Sequence, residues 1–361
     1  HKGGRLAVTD NYSRIGESHA IIICVPTPLR KTQDPDMSCI LEAASELRKH
    51  IRKNTLIVLE STTYPGTTEE IILPMLAEKD FKAGRDFFLA FSPERIDPAN
   101  AKYRTNNIPK VIGGLTAQCL DVAKALYSEI VSEVVTVSSP RAAEMVKLLE
   151  NSFRSVNIAL ANEVALICSK MGIDVWEVIK AAESKPFGFM PFYPGPGIGG
   201  HCIPADPMYL IWKSRLSGYE PKLIRTAHEI NSAMPGYVVG RVVFELKSKS
   251  IPLSSSRVLI AGVAYKPDVN DIRESPALEI MQILSRKGAR VEFYDPYVKE
   301  LQIKGRKHKT VVLSRKNIIR YDAVVIVTNH SSIDYGIFRK AKLVLDTRNA
   351  LKWNAKNLVK I

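Results

Sequence analysis

Continuous apolar runs alternate with helix-like segments in the first third of the chain. Residues 19–25 (HAIIICV), 55–59 (TLIVL) and 87–91 (FFLAF) are such runs, and polar or proline-containing loops follow them. Runs of this kind are typical of parallel strands that are buried on both faces. The shorter stretch at 6–10 also predicts a strand. Strands that alternate with helices form a parallel α/β sheet, and ligands bind at the carboxyl ends of its strands.

The middle of the chain has a helical pattern instead. Between residues 141 and 171 apolar side chains recur every three or four positions, which predicts one long helix. Lys147, Asn151 and Arg154 share one face of that helix. Two further helices are predicted near 174–182 and 221–233, so we expect an all-helical middle domain. The apolar face of the long helix exceeds what one domain needs, which favours a homodimer.

The strand pattern returns after residue 256. The apolar runs that predict strands lie at 258–264, 290–294, 323–328 and 343–346. This second Rossmann-like unit opens with the turn Gly262-Val-Ala-Tyr-Lys266, which is too degenerate to require a dinucleotide. The fold class is therefore α/β, with two Rossmann-like parallel-sheet domains joined by a helical middle domain that contains a long central helix. The expected domains are residues 1–138, 139–250 and 251–361.

The first sheet lacks the usual beginning of a Rossmann fold. Such a fold opens with a strand, a glycine-rich turn and an acidic residue about 20 positions further on. No such sequence precedes the apolar run at 19–25. We therefore expect the amino-terminal sheet to be incomplete, and the glycine turn and the ribose-binding carboxylate cannot be assigned.

Composition narrows the class of protein. The 361 residues are 45% hydrophobic and 24% charged, as in ordinary globular proteins. The net charge of +14 suits polyanionic ligands, such as nucleotide diphosphates and nucleic acid. Because no stretch of the sequence interleaves aromatic residues with the cations, we expect no nucleic-acid partner. Five cysteines without a C-x-x-C pair favour a reduced, cytoplasmic setting and no metal site. No apolar run has the length of a membrane span, so we expect no membrane partner.

The candidate chemistry lies in residues 192–210, FYPGPGIGGHCIPADPMYL. Glycines at 195, 197, 199 and 200 allow the backbone to approach a bound group, and the prolines limit its flexibility. Cys202 ends this rim, where exposed N–H groups or a nearby cation favour a thiolate nucleophile. Asp206 follows four residues later. A buried structural cysteine is the ordinary alternative, but it would not need a glycine rim with polar neighbours.

Two other interpretations of this loop are disfavoured. Residues 195–200 formally match the dinucleotide motif G-x-G-x-x-G, but no apolar strand precedes them and Ile203-Pro-Ala-Asp-Pro207 argues against a helix after them. A catalytic pair of His201 with Cys202 is disfavoured because consecutive side chains of an extended segment point apart.

The loop resembles the catalytic-cysteine signature of the UDP-glucose/GDP-mannose dehydrogenase family. The segments Ser92-Pro-Glu-Arg95, Tyr265-Lys-Pro-Asp268 and Asp271-Ile-Arg-Glu-Ser-Pro276 also resemble family motifs and occur in the family's order. The resemblance extends from Ile21 to Asn349 and is greatest to the branch that oxidises UDP-N-acetylhexosamines. It implies NAD-dependent oxidation of the C6 alcohol of a UDP-sugar to a carboxylate, with two NAD per turnover, in a homodimer built on the long helix. UDP-N-acetylglucosamine and UDP-N-acetylmannosamine both remain possible substrates.

The resemblance also implies roles for individual residues. Cys202 would attack the C6 aldehyde, Lys147 and Asn151 would stabilise the oxyanion, Asp206 with Thr62 would position water or accept a proton, and Glu94 would serve thioester hydrolysis. The implied NAD contacts are Val25, Thr27, Ser61, Thr62 and Arg273. The implied UDP-sugar contacts are Glu94, Arg95, Lys147, Asn151, Tyr193, Gly195, Gly197, Gly199, Lys266 and Arg348. Each cation alone could be a surface charge, but Lys266, Arg273 and Arg348 lie past predicted strands, where phosphate-binding cations are expected.

One alternative function follows from the missing glycine turn. Without that turn the chain could be a nucleotide-sugar-binding remnant that has lost NAD and dehydrogenase activity. Calorimetry with NAD and with UDP-N-acetylglucosamine separates the two functions, since a remnant would bind only the sugar nucleotide.

Overall fold

Two structural units, each with a five-stranded sheet, make up the chain. The structure is a computed structural model that describes residues 6–77, 80–97, 100, 102–200 and 202–361. The first unit contains His1–Asn151 and Ala205–Pro221, and the second contains Ser152–Pro204 and Lys222–Ile361. Because each unit has its own sheet and its own buried apolar clusters, each has its own hydrophobic core.

The sheet of the first unit has the spatial order β1-β2-β3-β4-β5, the same as its order along the chain. Its strands are β1 (Ala20–Ile23), β2 (Thr55–Leu59), β3 (Phe87–Phe91), β4 (Lys110–Gly114) and β5 (Val134–Val137). All neighbours are parallel except β3 and β4, which are antiparallel. Every residue of β2 is buried, which explains its uninterrupted apolar sequence. The helical segments of this sheet are α1 (Ser38–His50), a π-helical segment (Thr68–Ile72) that continues into α2 (Leu73–Leu76), and α3 (Ala117–Ser128).

The strand expected at residues 6–10 is wrong. Residues 6–9 have no regular structure, and Leu6 and Val8 are 65% and 95% exposed. Asn11 then caps a 3₁₀ helix over Tyr12–Glu17 by accepting a hydrogen bond from the Ser13 backbone N–H. A short apolar stretch without a partner strand has no ladder to join, so its β propensity has no effect.

Four helices form the middle of the chain, and the sequence predicts three of them. They are α4 (Pro140–Met171), α5 (Val175–Glu183), α6 (Cys202–Leu216) and α7 (Lys222–Ser248). The expected extended segment after Cys202 is wrong, because α6 begins at that residue. Pro204 lies in the first turn of α6, where backbone N–H groups have no intrahelical acceptor, so proline is tolerated there. None of the helices in the described residues combines the length and hydrophobicity of a membrane span.

The sheet of the second unit is entirely parallel, with the order β12-β11-β10-β6-β7. Its strands are β6 (Arg257–Ala261), β7 (Arg290–Tyr294), β10 (Ala323–Ile326), β11 (Val344–Asp346) and β12 (Leu358–Lys360). Helix α8 (Pro276–Arg286) follows β6, and β8 (Glu300–Ile303) and β9 (Arg306–Lys309) form a separate hairpin. The predicted α/β fold class, with Rossmann-like parallel sheets and a helical middle, is confirmed.

Candidate functional site

Four of the predicted catalytic residues lie together in the first unit. Helix α4 presents Lys147 and Asn151 one turn apart on the same face. The Lys147 ammonium donates a hydrogen bond to the backbone carbonyl of Glu94 (2.5 Å), and the Asn151 amide donates one to the Asp206 carboxylate (2.5 Å). Asn151 and Asp206 are only 6% and 3% exposed. A cation, an amide and the Asp206 carboxyl group therefore meet along one turn of α4, next to the backbone of Glu94.

The Asp206 carboxyl group is held at a pKa suited to proton transfer. Burial raises its pKa to about 6, while the Lys147 charge and the hydrogen bond from Asn151 act in the opposite direction. A carboxylate that titrates just below neutrality accepts a proton more readily than an exposed one at pH 7. This environment suits a general base.

Glu94 lies in the loop after β3 and is held from two sides. One oxygen of its carboxylate accepts a hydrogen bond from the Ile96 backbone N–H (2.7 Å), and the other lies 3.7 Å from the Lys110 ammonium. The neighbouring Arg95 pairs with Glu150 (2.7 Å) and donates to the Pro109 carbonyl (2.7 Å). Arg95 is therefore engaged within the protein at two contacts, although the sequence predicts it as a substrate contact.

The predicted cofactor residues of the first unit lie at the carboxyl ends of β1 and β2. The Ser61 hydroxyl accepts a hydrogen bond from the Val25 backbone N–H (2.8 Å) and thereby ties the two loops together. Thr27 is buried, and its carbonyl accepts a hydrogen bond from the Tyr209 hydroxyl (2.9 Å). Thr62 is half-buried in the same segment. This is the edge at which parallel α/β sheets bind nucleotides.

An orphaned hydroxyl at this edge fits a bound polar group. The Thr63 Oγ1 atom is buried and has no hydrogen-bond partner among the described residues. Buried polar groups normally have partners, and a ligand can supply one. The strand-end loops therefore fit part of a dinucleotide, whereas residues 6–77 contain no glycine-rich turn between a strand and a helix.

Sequence reasoning missed Glu144, which holds the segment after β2 against α4. Its carboxylate is fully buried and accepts hydrogen bonds from the backbone N–H groups of Gly66 and Thr68 and from the Thr68 hydroxyl. Burial raises its pKa to about 7. A single acid among apolar residues, one turn before Lys147, was the available signal. Glu144 links the segment that follows Ser61 and Thr62 to the helix that carries Lys147.

In the second unit, Cys202 is exposed and is the first residue of α6. The unpaired N–H groups of a helix amino terminus favour a thiolate. Arg273 lies close by: its pKa is raised chiefly by its hydrogen bonds to Asp271, and the Cys202 charge contributes less. None of the five cysteines, all within the described residues, forms a disulfide. His201 lies outside the described residues. Asp206 follows Cys202 by one turn of the same helix.

The glycine rim is required by packing within the second unit. Gly197 and Gly200 have φ angles of +126° and +85°, in the region that favours glycine. A Cβ atom at Gly195 would lie 2.5 Å from the Arg348 guanidinium, and one at Gly199 would lie 2.8 Å from the Tyr265 side chain. The rim therefore lets the loop lie directly on the cation and on the aromatic ring.

A buried amide network fixes the start of this rim. The Gly195 backbone N–H donates a hydrogen bond to Asn162 (2.9 Å), and the Asn162 amide donates to Asn231 (2.9 Å). Asn231 in turn donates to the Ser155 carbonyl (2.9 Å). Asn162 and Asn231 are 0% and 5% exposed, so helices α4 and α7 hold the loop through satisfied polar groups. Sequence reasoning did not identify these two residues.

A cavity of about 510 Å³ in the second unit brings together two of the predicted substrate residues, Tyr193 and Arg348. The Tyr193 ring stacks on Trp176 with centroids 6.0 Å apart and an interplanar angle of 14°. Arg348 donates to the Val327 carbonyl (2.8 Å), and burial lowers its pKa to about 10, so it stays cationic at neutral pH. Among the described residues, the lining also includes Lys180 and Lys352, but Lys266 is not part of it.

The chemistry of this cavity matches a nucleotide. Aromatic rings can stack on a base, and several cations can neutralise phosphates. The buried Asn349 Oδ1 atom, at the cavity wall, has no hydrogen-bond partner among the described residues. Arg273 does not line this cavity but lies beside Cys202, where its backbone carbonyl accepts a hydrogen bond from the Gly200 N–H (3.0 Å).

Comparison with known proteins covers the whole fold. Three models of the UDP-glucose/GDP-mannose dehydrogenase family match the chain: the NAD binding domain at residues 1–131, the central domain at 141–233 and the UDP binding domain at 259–353. The chain is 35% identical over 327 residues to a UDP-N-acetyl-D-glucosamine 6-dehydrogenase of Salmonella typhi, covering 90% of this chain and 76% of that one. It is 35% identical over 355 residues to a UDP-N-acetyl-D-mannosamine dehydrogenase of Pyrococcus horikoshii, covering 97% and 82%.

Solved structures give the same result. The structure of a UDP-D-ManNAc dehydrogenase from Pyrococcus horikoshii is similar with a TM-score of 0.88 at 34% identity, covering 99% of this chain and 84% of that one. A UDP-N-acetyl-mannosamine dehydrogenase from Staphylococcus aureus is similar with a TM-score of 0.79 at 33% identity, covering 95% and 80%. The similarity therefore includes the first unit as well as the second.

Proposed function

The chain belongs to the UDP-glucose/GDP-mannose dehydrogenase family, and we propose that it oxidises the C6 alcohol of a UDP-N-acetylhexosamine to a carboxylate with NAD. The family predicted from the sequence is thereby confirmed. The observation that carries the proposed chemistry is helix α6, which begins at an exposed thiol and carries, one turn later, a buried carboxyl group hydrogen-bonded to Asn151. The names of the most similar relatives support an N-acetylhexosamine as the sugar.

We propose that the three predicted domains divide this work. Residues 1–138 would bind NAD, residues 139–250 would carry the catalytic loop and the dimer helix, and residues 251–361 would bind UDP. Each matched family model lies within one of these ranges, which supports the division.

In the proposed reaction, NAD held by Val25, Thr27, Ser61 and Thr62 would supply the hydride acceptor for both oxidations. After the first oxidation, the Cys202 thiolate adds to the C6 aldehyde and forms a thiohemiacetal. The Lys147 ammonium and the Asn151 amide stabilise the negative oxygen of that adduct. A stabilised thiohemiacetal is a good hydride donor, so its oxidation gives a thioester on Cys202. Because the substrate stays covalently bound, the reactive aldehyde does not escape.

The proposed second half of the reaction releases the acid. Water attacks the thioester carbon, the C–S bond breaks, and the Cys202 thiolate leaves. Asp206 with Thr62 positions water or accepts a proton, and Glu94 takes up the proton of the attacking water. The cofactor edge would use Val25, Thr27, Ser61, Thr62 and Arg273. The sugar nucleotide would contact Tyr193, Gly195, Gly197, Gly199, Lys266 and Arg348, with Glu94, Arg95, Lys147 and Asn151 near the sugar.

The direct test of this function is NADH formation with a panel of UDP-sugars. We expect UDP-N-acetylglucosamine or UDP-N-acetylmannosamine to give a much higher kcat/KM than UDP-glucose. Calorimetry tests the alternative of a nucleotide-sugar-binding remnant without dehydrogenase activity. Binding of the sugar nucleotide without binding of NAD would support that alternative and contradict the proposed enzyme. The match of residues 1–131 to the family's NAD binding domain favours the enzyme.

Gly195→Ala tests the proposed UDP cavity. The new methyl group would lie 2.5 Å from the Arg348 guanidinium and displace it. We expect the Kd for UDP in calorimetry to rise about tenfold, since overpacking typically costs about 1–3 kcal/mol. Gly236→Ala on α7 is the matched control, because a Cβ atom there meets nothing within 4 Å. Unchanged UDP affinity in Gly195→Ala would exclude this cavity as the diphosphate site.

The exposed face of α4 supports the proposed homodimer. Its large exposed apolar side chains repeat at helical spacing and form one stripe: Met145, Leu149, Phe153, Leu160, Ile167 and Met171. A contiguous apolar stripe of this kind marks a protein interface. We expect Leu149→Glu to convert the dimer to monomer in sedimentation velocity, while Leu216→Glu, at a similarly exposed leucine of α6, leaves it dimeric. A dimeric Leu149→Glu variant would place the interface elsewhere.

We also propose a cytoplasmic location. The five cysteines without disulfides fit a reducing compartment, where both NAD and nucleotide sugars are available to the enzyme.

A further inference from the structure

We propose that Lys110 is a positioning residue for thioester hydrolysis, which holds the Glu94 carboxylate in the orientation that water activation requires. The inference rests on the proposed function, because it concerns one step of that reaction. Lys110 reaches the proposed site through Glu94, whose carboxylate lies 3.7 Å from its ammonium.

The topology of the first sheet brings Lys110 to Glu94. Strand β4 is antiparallel to β3, with Phe91 paired to Gly113. Continuing that register past the end of β3 places Glu94 opposite Lys110, the first residue of β4. The first residue of a parallel strand would lie at the opposite edge of the sheet. The one antiparallel pair of this sheet therefore delivers a cation to the edge where the catalytic carboxyl groups lie.

The Lys110 ammonium is fixed by more than Glu94. It lies 2.9 Å from a Glu60 oxygen and 3.7 Å from the Glu94 carboxylate. It also lies 5.3 Å from the centroid of the Tyr127 ring, and the Tyr127 hydroxyl donates a hydrogen bond to the same Glu60 oxygen (2.5 Å). The Lys110 and Glu60 side chains are only 13% and 11% exposed. A long side chain held in this way keeps its charge at one place, unlike a lysine on the surface.

Glu94 depends on this cation for its second contact. The Ile96 N–H holds one carboxylate oxygen, and Lys110 attracts the other, while the Glu94 side chain is 46% exposed. Without Lys110 the carboxylate keeps a single hydrogen bond and can rotate towards solvent. A general base must lie within hydrogen-bond reach of the proton that it accepts, so this rotation slows the attack of water. The preceding hydride transfers do not use the Glu94 carboxylate.

Lys110→Met therefore separates the two oxidations from the hydrolysis of the thioester. We expect kcat to fall about tenfold to hundredfold, as small misplacements of catalytic groups do. We also expect a rapid burst of two NADH per Cys202 and an acyl adduct on Cys202 in mass spectrometry of the quenched enzyme. Lys110→Arg keeps the cation and should restore most of the turnover without a burst.

A second variant covers the possibility that an unpaired Glu60 destabilises Lys110→Met. Lys110→Met/Glu60→Gln removes both charges, and we expect it to show the same burst and the same adduct. Wild-type kcat in either methionine variant, or slow turnover without an acyl adduct, would overturn the role of Lys110. Failure of the proposed function has a different signature, since the wild-type enzyme itself would form no NADH from UDP-N-acetylhexosamines.

Discussion

Cys202→Ser is expected to lower the rate of sugar-acid formation by about a thousandfold or more, as the loss of a catalytic nucleophile does. A serine hydroxyl is a far weaker nucleophile than a thiolate at neutral pH, and the adduct and ester that it could form are less reactive. The binding of UDP-N-acetylglucosamine should change little, because the cavity with Tyr193 and Arg348 contains no atom of residue 202.

The measurement for this variant is the initial rate of acid formation, with calorimetry to confirm that the sugar nucleotide still binds. Cys39→Ser is the matched control, since Cys39 lies on α1 and is half-buried. Wild-type rates in both variants would exclude Cys202 as the nucleophile of the reaction.

Asp206→Asn has the second largest expected effect, a loss of about 10²–10⁴ in kcat/KM, the usual contribution of a general base. The wild-type pKa of Asp206 is about 6, so its carboxylate becomes protonated as pH falls through 6. We therefore expect kcat/KM of the wild type to fall below pH 6 and the residual activity of Asp206→Asn to be flat there. Asp121→Asn, at an exposed position of α3, should keep the wild-type profile.

Asp206→Asn should raise the stability of the fold at pH 8, although it lowers activity. The folded-state pKa of Asp206 lies above its ordinary value of 3.8. Such a group contributes stability below the unfolded pKa and loses it as pH rises through the folded pKa. Ionised Asp206 is therefore a cost at pH 8, and asparagine should raise the free energy of unfolding by up to about 3 kcal/mol. Lower stability of Asp206→Asn at pH 8 would contradict this assignment of its environment.

Sequence patterns were sufficient for most of the fold. The apolar runs at 19–25, 55–59 and 87–91 became β1, β2 and β3, because strands buried on both faces need continuous apolar sequence. The pattern over 141–171 gave α4 almost to the residue. Sequence patterns did not predict α6, because two prolines within its first two turns argue against a helix that tertiary packing nevertheless stabilises.

The site was predictable only where residues carry a motif. Cys202 and Asp206 directly follow a glycine-rich segment, and Lys147 and Asn151 have helical spacing, so both pairs could be proposed before the fold was known. The proposed role of Lys110 could not be predicted, because it depends on β4 running antiparallel to β3. A short apolar run does not reveal the direction of its strand. Glu144 and Asn162 are polar residues whose partners are distant in sequence, and only the fold brings them together.

The ratio of NADH formed to sugar acid formed tests the central claim most directly. We expect two NADH for each uronic acid from a UDP-N-acetylhexosamine, with no aldehyde detectable by a carbonyl trap in solution. A ratio of one, with the aldehyde trapped in solution, would show that the first oxidation occurs without capture by Cys202 and would contradict the covalent route.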